Sequence, residues 1–224
     1  MKKLFVGVLC VALSLSVQGK EVNMTSPDGK YQFTLSDSGG QLHYSLTWNG
    51  KQTVKPSLLG INANVEWRDG VEIGTVDSSR KDTIWHPVYG ERSEIKDCYH
   101  AWKIVVNRQN GRDKLILDVR AYDEGIAFRY HFPGGQYLKI TDEYTEYTMP
   151  EGTKAYFTPK AQTPYSYLPL ENWPGESDRP LLLTLADGGY VCLAEAQVVD
   201  YVRTKFNVSP TKKNTIISAM YGPV

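Results

Sequence analysis

Apolar and polar residues alternate along most of this chain, so that every second position is apolar, as in strands buried on one face. The alternation is clearest in the stretch Arg120–Pro133 and the residues just before it, where two such segments meet at Asp123-Glu124-Gly125. The stretch is therefore predicted to form a β-hairpin. Its apolar positions are Leu115, Leu117, Val119 and Ala121 before the turn, and Ile126, Phe128, Tyr130 and Phe132 after it.

The register of this hairpin depends on the length of its loop. A two-residue loop after Asp123 keeps both apolar rows on one face and sets Ala121 opposite Phe128. It also sets Arg120 opposite Arg129, and like charges that face each other across a sheet are unfavourable. We therefore expect another segment to supply a carboxylate or carbonyl groups between the two arginines.

The same alternation recurs in about a dozen short segments that are separated by Gly, Pro and Asn-Gly turns. No segment has apolar residues at helical spacing. Many short strands with regular turns are typical of a large antiparallel sandwich, so the fold is predicted to be all-β. The predicted strands cover residues 31–35, 42–48, 58–65, 71–76, 100–106, 115–122, 126–132, 138–147, 155–158, 181–185, 190–195, 205–208 and 215–220.

Two stretches, 85–92 and 159–180, show no periodicity. The second carries five prolines and is the longer, and loops of that length in compact domains are usually functional or docked on another surface. It also contains Trp173, and Trp rings stack on the apolar faces of sugars. Trp173 is therefore a candidate substrate-binding residue. Packing in the core is favoured for the other tryptophans, Trp48, Trp67, Trp85 and Trp102.

Length and charge narrow the class of protein. The chain has 224 residues, which is enough for one β domain with a substantial core. Its 25 basic and 25 acidic residues leave a formal net charge of zero. Nucleic-acid-binding proteins need clustered basic charge, so no nucleic-acid partner is expected.

Residues 1–19 have the layout of a secretory signal peptide, with Lys2 and Lys3 before an apolar run and Gly19 at the end. Cleavage near Gly19 would leave residues 20–224 as one exported domain. The apolar run is shorter than the roughly 20 residues of a membrane-spanning helix, so no membrane span is expected. Cys98 and Cys192 then remain, either as a disulfide or as two separate thiols.

The residues alone indicate no catalytic constellation. The chain has no nucleophile elbow, zinc-protease motif, phosphate-binding loop or dinucleotide fingerprint, and its four histidines lack metal-ligand spacing. The densest group of carboxylates is Asp142, Glu143 and Glu146. On a strand these residues alternate between faces, so we expect a solvated edge rather than a pair that cleaves glycosidic bonds.

Four segments, in order and spacing, resemble the N-terminal domain of glycoside hydrolase family 97: 85–92, 98–102, 120–133 and 191–201. The resemblance covers nearly all of the chain after the signal peptide. It implies a galactose-mutarotase-like β-super-sandwich that precedes a catalytic β/α barrel. The resemblance also implies a secreted or periplasmic enzyme of the α-glucosidase or α-galactosidase type. The catalytic carboxylates of such an enzyme lie in the barrel. No residue of this chain is therefore expected to be catalytic.

The resemblance also implies a calcium ion near the active site. One of its ligands is a Glu of the N-terminal domain in a Glu-Ala motif, which Glu195 matches here. Calcium takes about six to eight oxygen ligands, so the chain alone is expected to bind the ion weakly or not at all. We also expect the flank around residues 159–180 and Glu195 to expose apolar surface that contacts the barrel.

Two alternatives from other classes remain open. The chain could be a free-standing carbohydrate-binding module without catalysis, which would bind oligosaccharides through Trp173. It could also be a structural β scaffold that binds a partner chain.

Overall fold

The computed structural model describes residues 19–134, 137–199 and 201–220. The predicted signal peptide, apart from Gly19, lies outside the described residues. The described chain forms eighteen strands in four antiparallel sheets, which confirms the all-β prediction. Two single-turn 3-10 helices accompany them, at Ser38–Gly40 and Leu170–Asn172. None of the helices in the described ranges is long and apolar enough to cross a membrane.

The strands follow one another closely along the chain. The first nine are β1 (Glu21–Thr25), β2 (Tyr31–Ser36), β3 (Leu42–Trp48), β4 (Lys51–Leu59), β5 (Ile61–Ala63), β6 (Val65–Glu66), β7 (Val71–Trp85), β8 (Ile95–Arg108) and β9 (Lys114–Tyr122). The other nine are β10 (Gly125–His131), β11 (Ile140–Glu143), β12 (Glu146–Thr148), β13 (Lys154–Phe157), β14 (Ser166–Pro169), β15 (Leu181–Thr184), β16 (Tyr190–Leu193), β17 (Lys205–Val208) and β18 (Thr215–Ala219).

The largest sheet has seven strands in the order β1-β2-β3-β4-β12-β18-β17. A second sheet has the order β10-β9-β8-β7, and a third has the order β11-β5-β6. The fourth, in the order β14-β13-β15-β16, is built from the C-terminal half of the chain. Glu195 and Trp173, the two predicted site residues, both lie in loops connected to this fourth sheet.

One continuous core joins the large sheet to the second sheet. Phe33 of β2 stacks on Tyr44 of β3 with ring centroids 5.2 Å apart, and the two rings lie 6.3 and 5.7 Å from Phe128 of β10. The inward positions of β9 are fully buried, as the alternation predicts. The fourth sheet adds Leu181 and Leu183 to the same core.

The predicted hairpin forms, but its register was wrong by two residues. Its two-residue loop is Asp123 and Glu124, so Val119 faces Phe128 and Asp118 faces Arg129. The observed register replaces a facing pair of arginines by an ion pair, with Arg129 Nε 2.9 Å from Asp118 Oδ2. An even loop is kept, so both apolar rows still face the core.

The carboxylate near Arg129 thus comes from the hairpin itself and not from another segment. Arg120 instead lies over the ring of Tyr99 on β8, with its guanidinium carbon 4.6 Å from the ring centroid. Its Nη1 also donates to the Tyr122 hydroxyl at 3.4 Å. The two arginines have separate partners, and neither needs a bridging anion.

Several sequence-based assignments need correction. Strand β1, which pairs with β2, and strand β14, inside the Pro-rich stretch, were not predicted. Among the tryptophans, Trp67 is buried as expected, whereas Trp48 and Trp85 are 42% and 50% exposed and lie outside the core. Cys98 is partly buried and Cys192 is exposed, and both are free thiols, so they form no disulfide here.

Candidate functional site

The surroundings of Glu195 are set by the ends of three strands of the C-terminal half. Glu195 follows the end of β16 by two residues, and Arg179 precedes β15 by two residues. Thr204 lies directly before β17. The antiparallel pairing of β15 with β16 brings these chain segments to one edge of the fold.

The carboxylate of Glu195 is already bonded within the chain. Arg179 Nε forms an ion pair with Glu195 Oε2. The backbone N–H of Thr204 donates to both carboxylate oxygens, at 3.2 Å to Oε1 and 3.1 Å to Oε2. The two side chains of the ion pair are each only about one fifth exposed, at 20% and 18%, so solvent screens the pair weakly.

A second ion pair extends this arrangement. Arg203 Nη2 donates to Asp178 Oδ2 at 2.7 Å, and the backbone N–H of Arg179 donates to Asp178 Oδ1 at 3.0 Å. Two carboxylates and two guanidinium groups therefore share one site, and their formal charges cancel. We call Asp178, Arg179, Glu195 and Arg203 the four-charge cluster.

A buried carboxylate, Glu143, lies beside this cluster. The hydroxyl of Tyr201 donates to Glu143 Oε2 at 2.7 Å, which ties the chain after Glu195 to strand β11. Burial raises the pKa of the Glu143 carboxyl above its ordinary value, and the negative charge of Glu195 raises it further. The same burial raises the pKa of the Tyr201 hydroxyl. This corner therefore disfavours additional negative charge.

The prediction of a solvated edge for the densest carboxylates was wrong for two of the three. Glu143 is enclosed as described above. Glu146 is buried, with its oxygens 2.7 and 2.8 Å from Lys212 Nζ. Each acidic side chain faces a partner from a strand or loop distant in sequence, which the alternation within one strand could not show.

Replacing Glu143 by glutamine is expected to change how stability depends on pH. The folded-state pKa is raised above the ordinary 4.5, so the stability that this group contributes is complete below pH 4.5 and is lost as the pH rises through the folded-state value. The Glu143→Gln variant lacks this loss. It should melt at a higher temperature than the wild type near pH 7, with the difference shrinking towards pH 4.

Thermal unfolding at several pH values measures this difference. The matched control is Glu91→Gln, at an exposed position in the loop between β7 and β8. The control should follow the wild type throughout. A Glu143→Gln variant whose melting temperature stays in constant offset from the wild type between pH 4 and 8 would contradict the effect of burial.

The described residues do not form a metal site by themselves. Nowhere in the described ranges do three His, Cys, Asp or Glu side chains lie close enough together to hold a metal ion. Glu195 can offer one carboxylate, but in this chain Arg179 and the Thr204 N–H occupy its oxygens. A calcium ion would therefore need further oxygen ligands from elsewhere and would share the carboxylate with Arg179.

Trp173 follows the 3-10 helix Leu170–Asn172 and is packed rather than fully exposed. Its ring meets Phe157 edge to face with centroids 5.4 Å apart, and it borders the main core. The indole N–H is buried and has no hydrogen-bond partner among the described residues. The ring therefore has limited free surface in this arrangement. Sugar binding by Trp173 stays a prediction.

The flank near Glu195 does expose apolar side chains. On the outer face of the fourth sheet, Tyr156 and Tyr167 are cross-strand neighbours with ring centroids 4.9 Å apart. Tyr190 on β16 is exposed on the same face. We call these three residues the tyrosine flank. Val199, in the loop after Glu195, is exposed as well.

Sequence reasoning missed the partners of Glu195. Arg179 and Thr204 lie 16 residues before and 9 residues after it, in loops without periodicity. The sequence offers one weak indication of this contact: both residues lie just before a predicted strand, and Asp178 is next to Arg179. Their meeting depends on the pairing of β15 with β16, which fixes the distance between the two loops.

Two solved structures share the fold of this chain. A glycoside hydrolase family 97 enzyme from Pseudoalteromonas sp. strain K8, in complex with panose, matches 91% of this chain with a TM-score of 0.82 and 21% identity. A β-arabinopyranosidase matches 88% of the chain with a TM-score of 0.80 and 22% identity. The fold is therefore that of a β-sandwich domain found in glycoside hydrolases.

The family follows from the sequence. The chain belongs to the glycosyl-hydrolase 97 N-terminal family, whose model matches residues 24–222. A curated relative, the retaining α-galactosidase of Bacteroides thetaiotaomicron (strain VPI-5482), is 25% identical over 244 aligned positions that cover the whole chain. The resemblance noted in the sequence is thereby confirmed.

This chain spans about a third of the length of the proteins that it matches. It covers 36% of the Bacteroides enzyme, 34% of the Pseudoalteromonas enzyme and 35% of the β-arabinopyranosidase. The remaining two thirds of those enzymes have no counterpart in these 224 residues.

Proposed function

We propose that this chain is the N-terminal domain of a secreted or periplasmic α-glycosidase, of the α-glucosidase or α-galactosidase type. In that enzyme the domain supports the catalytic barrel and contributes one calcium ligand, Glu195. The observation that carries this proposal is the family match over residues 24–222 in a chain that spans only a third of its relatives.

The substrates of the complete enzyme would be α-linked glucosides or galactosides. The Bacteroides relative is named a retaining α-galactosidase, and Pseudoalteromonas family 97 enzymes have been solved with panose and with acarbose. Export is supported by the signal-peptide pattern of residues 1–19. The enzyme would meet its substrates outside the cytoplasm.

Glu195 suits the proposed role because its carboxylate lies at the edge of the fold and is not fully enclosed. A calcium ion bound there, together with oxygens of the barrel, would supply fixed positive charge near the reacting sugar. Within this chain, Arg179 and the Thr204 N–H hold the carboxylate in position. Tyr201 and Glu143 hold the following loop, so that the direction of the Glu195 side chain is fixed from both sides.

The tyrosine flank would face the barrel in the complete enzyme. Tyrosine rings bury large areas and keep a hydroxyl for the polar rim, which is the composition of interfaces between domains. Tyr167 already uses its hydroxyl, 2.7 Å from Thr184 Oγ1.

The alternative of a carbohydrate-binding module is favoured by one observation, the exposure of the same tyrosine rings. Calorimetry with maltooligosaccharides and galactosides separates the two functions. Sugar affinity in the micromolar to low millimolar range, lost in Tyr167→Ala or Trp173→Ala, would support the module. No measurable heat, together with a reading frame that continues into a β/α barrel beyond Val224, would support the domain of an enzyme.

The purified chain, residues 20–224, is expected to show no turnover of aryl α-glucosides or aryl α-galactosides. The reason is that the catalytic carboxylates of the proposed enzyme would lie in its barrel, and the described residues of this chain bring no three metal-ligating side chains together. A colorimetric assay with and without added calcium measures this. Calcium-dependent hydrolysis by the isolated chain would contradict the proposal, because it would place the catalytic groups in this domain.

A further inference from the structure

Strands β7 and β8 extend beyond the sandwich as a two-stranded arm. The last nine residues of β7 are all exposed, on both faces of the strand. A strand within a sandwich alternates between a buried and an exposed face, so these residues cannot lie against the core. Strand β9 ends at Tyr122 opposite Tyr99, and beyond that point β8 pairs with β7 alone. We call residues 81–98 the arm, with Lys81, opposite Tyr99, at its base.

The tip of the arm presents apolar side chains to solvent. Ile84 is 58% exposed, Trp85 50%, Val88 98% and Tyr89 90%. Single exposed apolar residues are ordinary on protein surfaces, but four within six positions form a patch. Such a patch marks a surface that contacts another molecule or domain.

Two polar side chains, one at the base and one at the tip of the arm, have partners within the arm itself. Lys81 Nζ lies 2.6 Å from Asp97 Oδ2 across the two strands. His86 Nδ1 lies 3.1 Å from the carbonyl oxygen of Ser93, which closes the loop at the tip. The arm is therefore a formed ribbon whose apolar tip has no contact with the core. Two-stranded ribbons without a covering layer are at best marginally stable in water, so a partner that covered the tip would stabilise this one.

We propose that the arm docks on the catalytic portion of the same enzyme, where Trp85 and Tyr89 enter an apolar groove. This rests on the function proposed above and adds a contact surface far from Glu195 in the sequence. The length of the relatives points to this occupant, since about two thirds of each related enzyme lies outside the part that matches this chain and offers a large neighbouring surface. The internal pairing of Lys81 with Asp97 favours an apolar groove over a charged surface.

A second copy of the chain is a poorer partner for the arm. Strand β7 is the outer strand of its sheet, so its free edge could in principle pair with another copy. The exposed half of that edge carries Asp77, Arg80, Lys81 and Asp82. Charges along an edge strand oppose edge-to-edge pairing, which leaves the apolar tip as the part that docks.

Oxidative footprinting with mass spectrometry tests the docking. Oxidation rates at Trp85 and Tyr89 are compared between residues 20–224 and the complete enzyme from the full reading frame. We expect oxidation at both sites to be slower in the complete enzyme by about fivefold or more, because docked aromatic side chains lose contact with water. Equal rates in the two proteins would overturn the docking, while calcium-dependent activity of the complete enzyme would still support the proposed function.

Two other outcomes can be distinguished from docking on the catalytic portion. Protection in the isolated chain that increases with its concentration would show that a second copy covers the arm, and would overturn the proposal. A reading frame that ends at Val224 would remove both the proposed function and the docking. Sequencing reports this outcome independently of the footprint.

Substitutions at Trp85 sharpen the test. In the complete enzyme, Trp85→Ser should restore the oxidation of Tyr89 to the rate in the isolated chain, whereas Trp85→Phe should keep it protected. Both variants of the isolated chain should melt within about 2 °C of the wild type, because the side chain lies outside the core. Unchanged protection of Tyr89 in Trp85→Ser would contradict a role for this ring in docking.

Discussion

Replacing Phe33 by alanine is expected to destabilise the isolated domain by about 3–5 kcal/mol, the usual cost of deleting a buried aromatic ring. Phe33 is 1% exposed, stacks on Tyr44 and contacts the tilted ring of Phe128. These contacts join the large sheet to the second sheet, so the cavity would open at the junction of the two layers. Urea unfolding followed by fluorescence measures the loss as a lower midpoint.

The control for this substitution is Tyr137→Ala, which removes an aromatic ring that is 85% exposed. It should change the free energy of unfolding by less than about 0.5 kcal/mol. A Phe33→Ala variant that lost no more than this control would contradict the assignment of Phe33 to the centre of the core.

The second large effect is expected at Arg179. Arg179→Ala leaves Glu195 with the Thr204 N–H as its remaining hydrogen-bond donor and removes one cation from the four-charge cluster. Removing one partner of a buried ion pair costs about 3–5 kcal/mol, and partial exposure of this pair lowers the expected loss to about 2–3 kcal/mol. The solvent-exposed pair of Lys213 with Glu151 is the control, with side chains 81% and 78% exposed, and Lys213→Ala should lower the stability far less than Arg179→Ala.

A double-mutant cycle shows whether the loss comes from the pair. In Arg179→Ala combined with Glu195→Gln, the uncompensated negative charge is gone, so the double variant should be more stable than Arg179→Ala alone. Additive losses, with no coupling between the two positions, would contradict a direct ion pair. Equal losses for Arg179→Ala and Lys213→Ala would show that solvent screens both pairs to the same extent.

The alternation of apolar residues predicted most of the fold because half-buried strands carry their own signal. It located the hairpin and its inward rows correctly. It could not distinguish the observed loop, Asp123-Glu124, from the predicted loop, Glu124-Gly125, because both keep the same face of the hairpin inward. The choice between them depends on Asp118, which reaches Arg129 in one register only. The Asp123 carboxylate also accepts the backbone N–H of Asp28, an anchor that no local pattern contains.

Elements whose surroundings lie far away in sequence were harder to predict. The outer half of β7 has no apolar alternation because it has no buried face, so the sequence pattern does not predict it as a strand. Glu143 was predicted to be solvated, but Tyr201 approaches from a loop 58 residues away and encloses it. The likeness to a known family singled out Glu195, whereas its partners Arg179 and Thr204 became visible only with the strand pairing.

Calcium calorimetry on residues 20–224, beside the complete enzyme and its Glu195→Gln variant, tests most directly whether this chain is one contributor to a shared site. The isolated chain should show no saturation up to about 1 mM calcium, because one carboxylate held by Arg179 cannot replace the ion's water shell. The complete enzyme should bind calcium, and Glu195→Gln should weaken that binding by at least about tenfold. Micromolar binding by the isolated chain, or an unchanged affinity in Glu195→Gln, would contradict the proposed role of this domain.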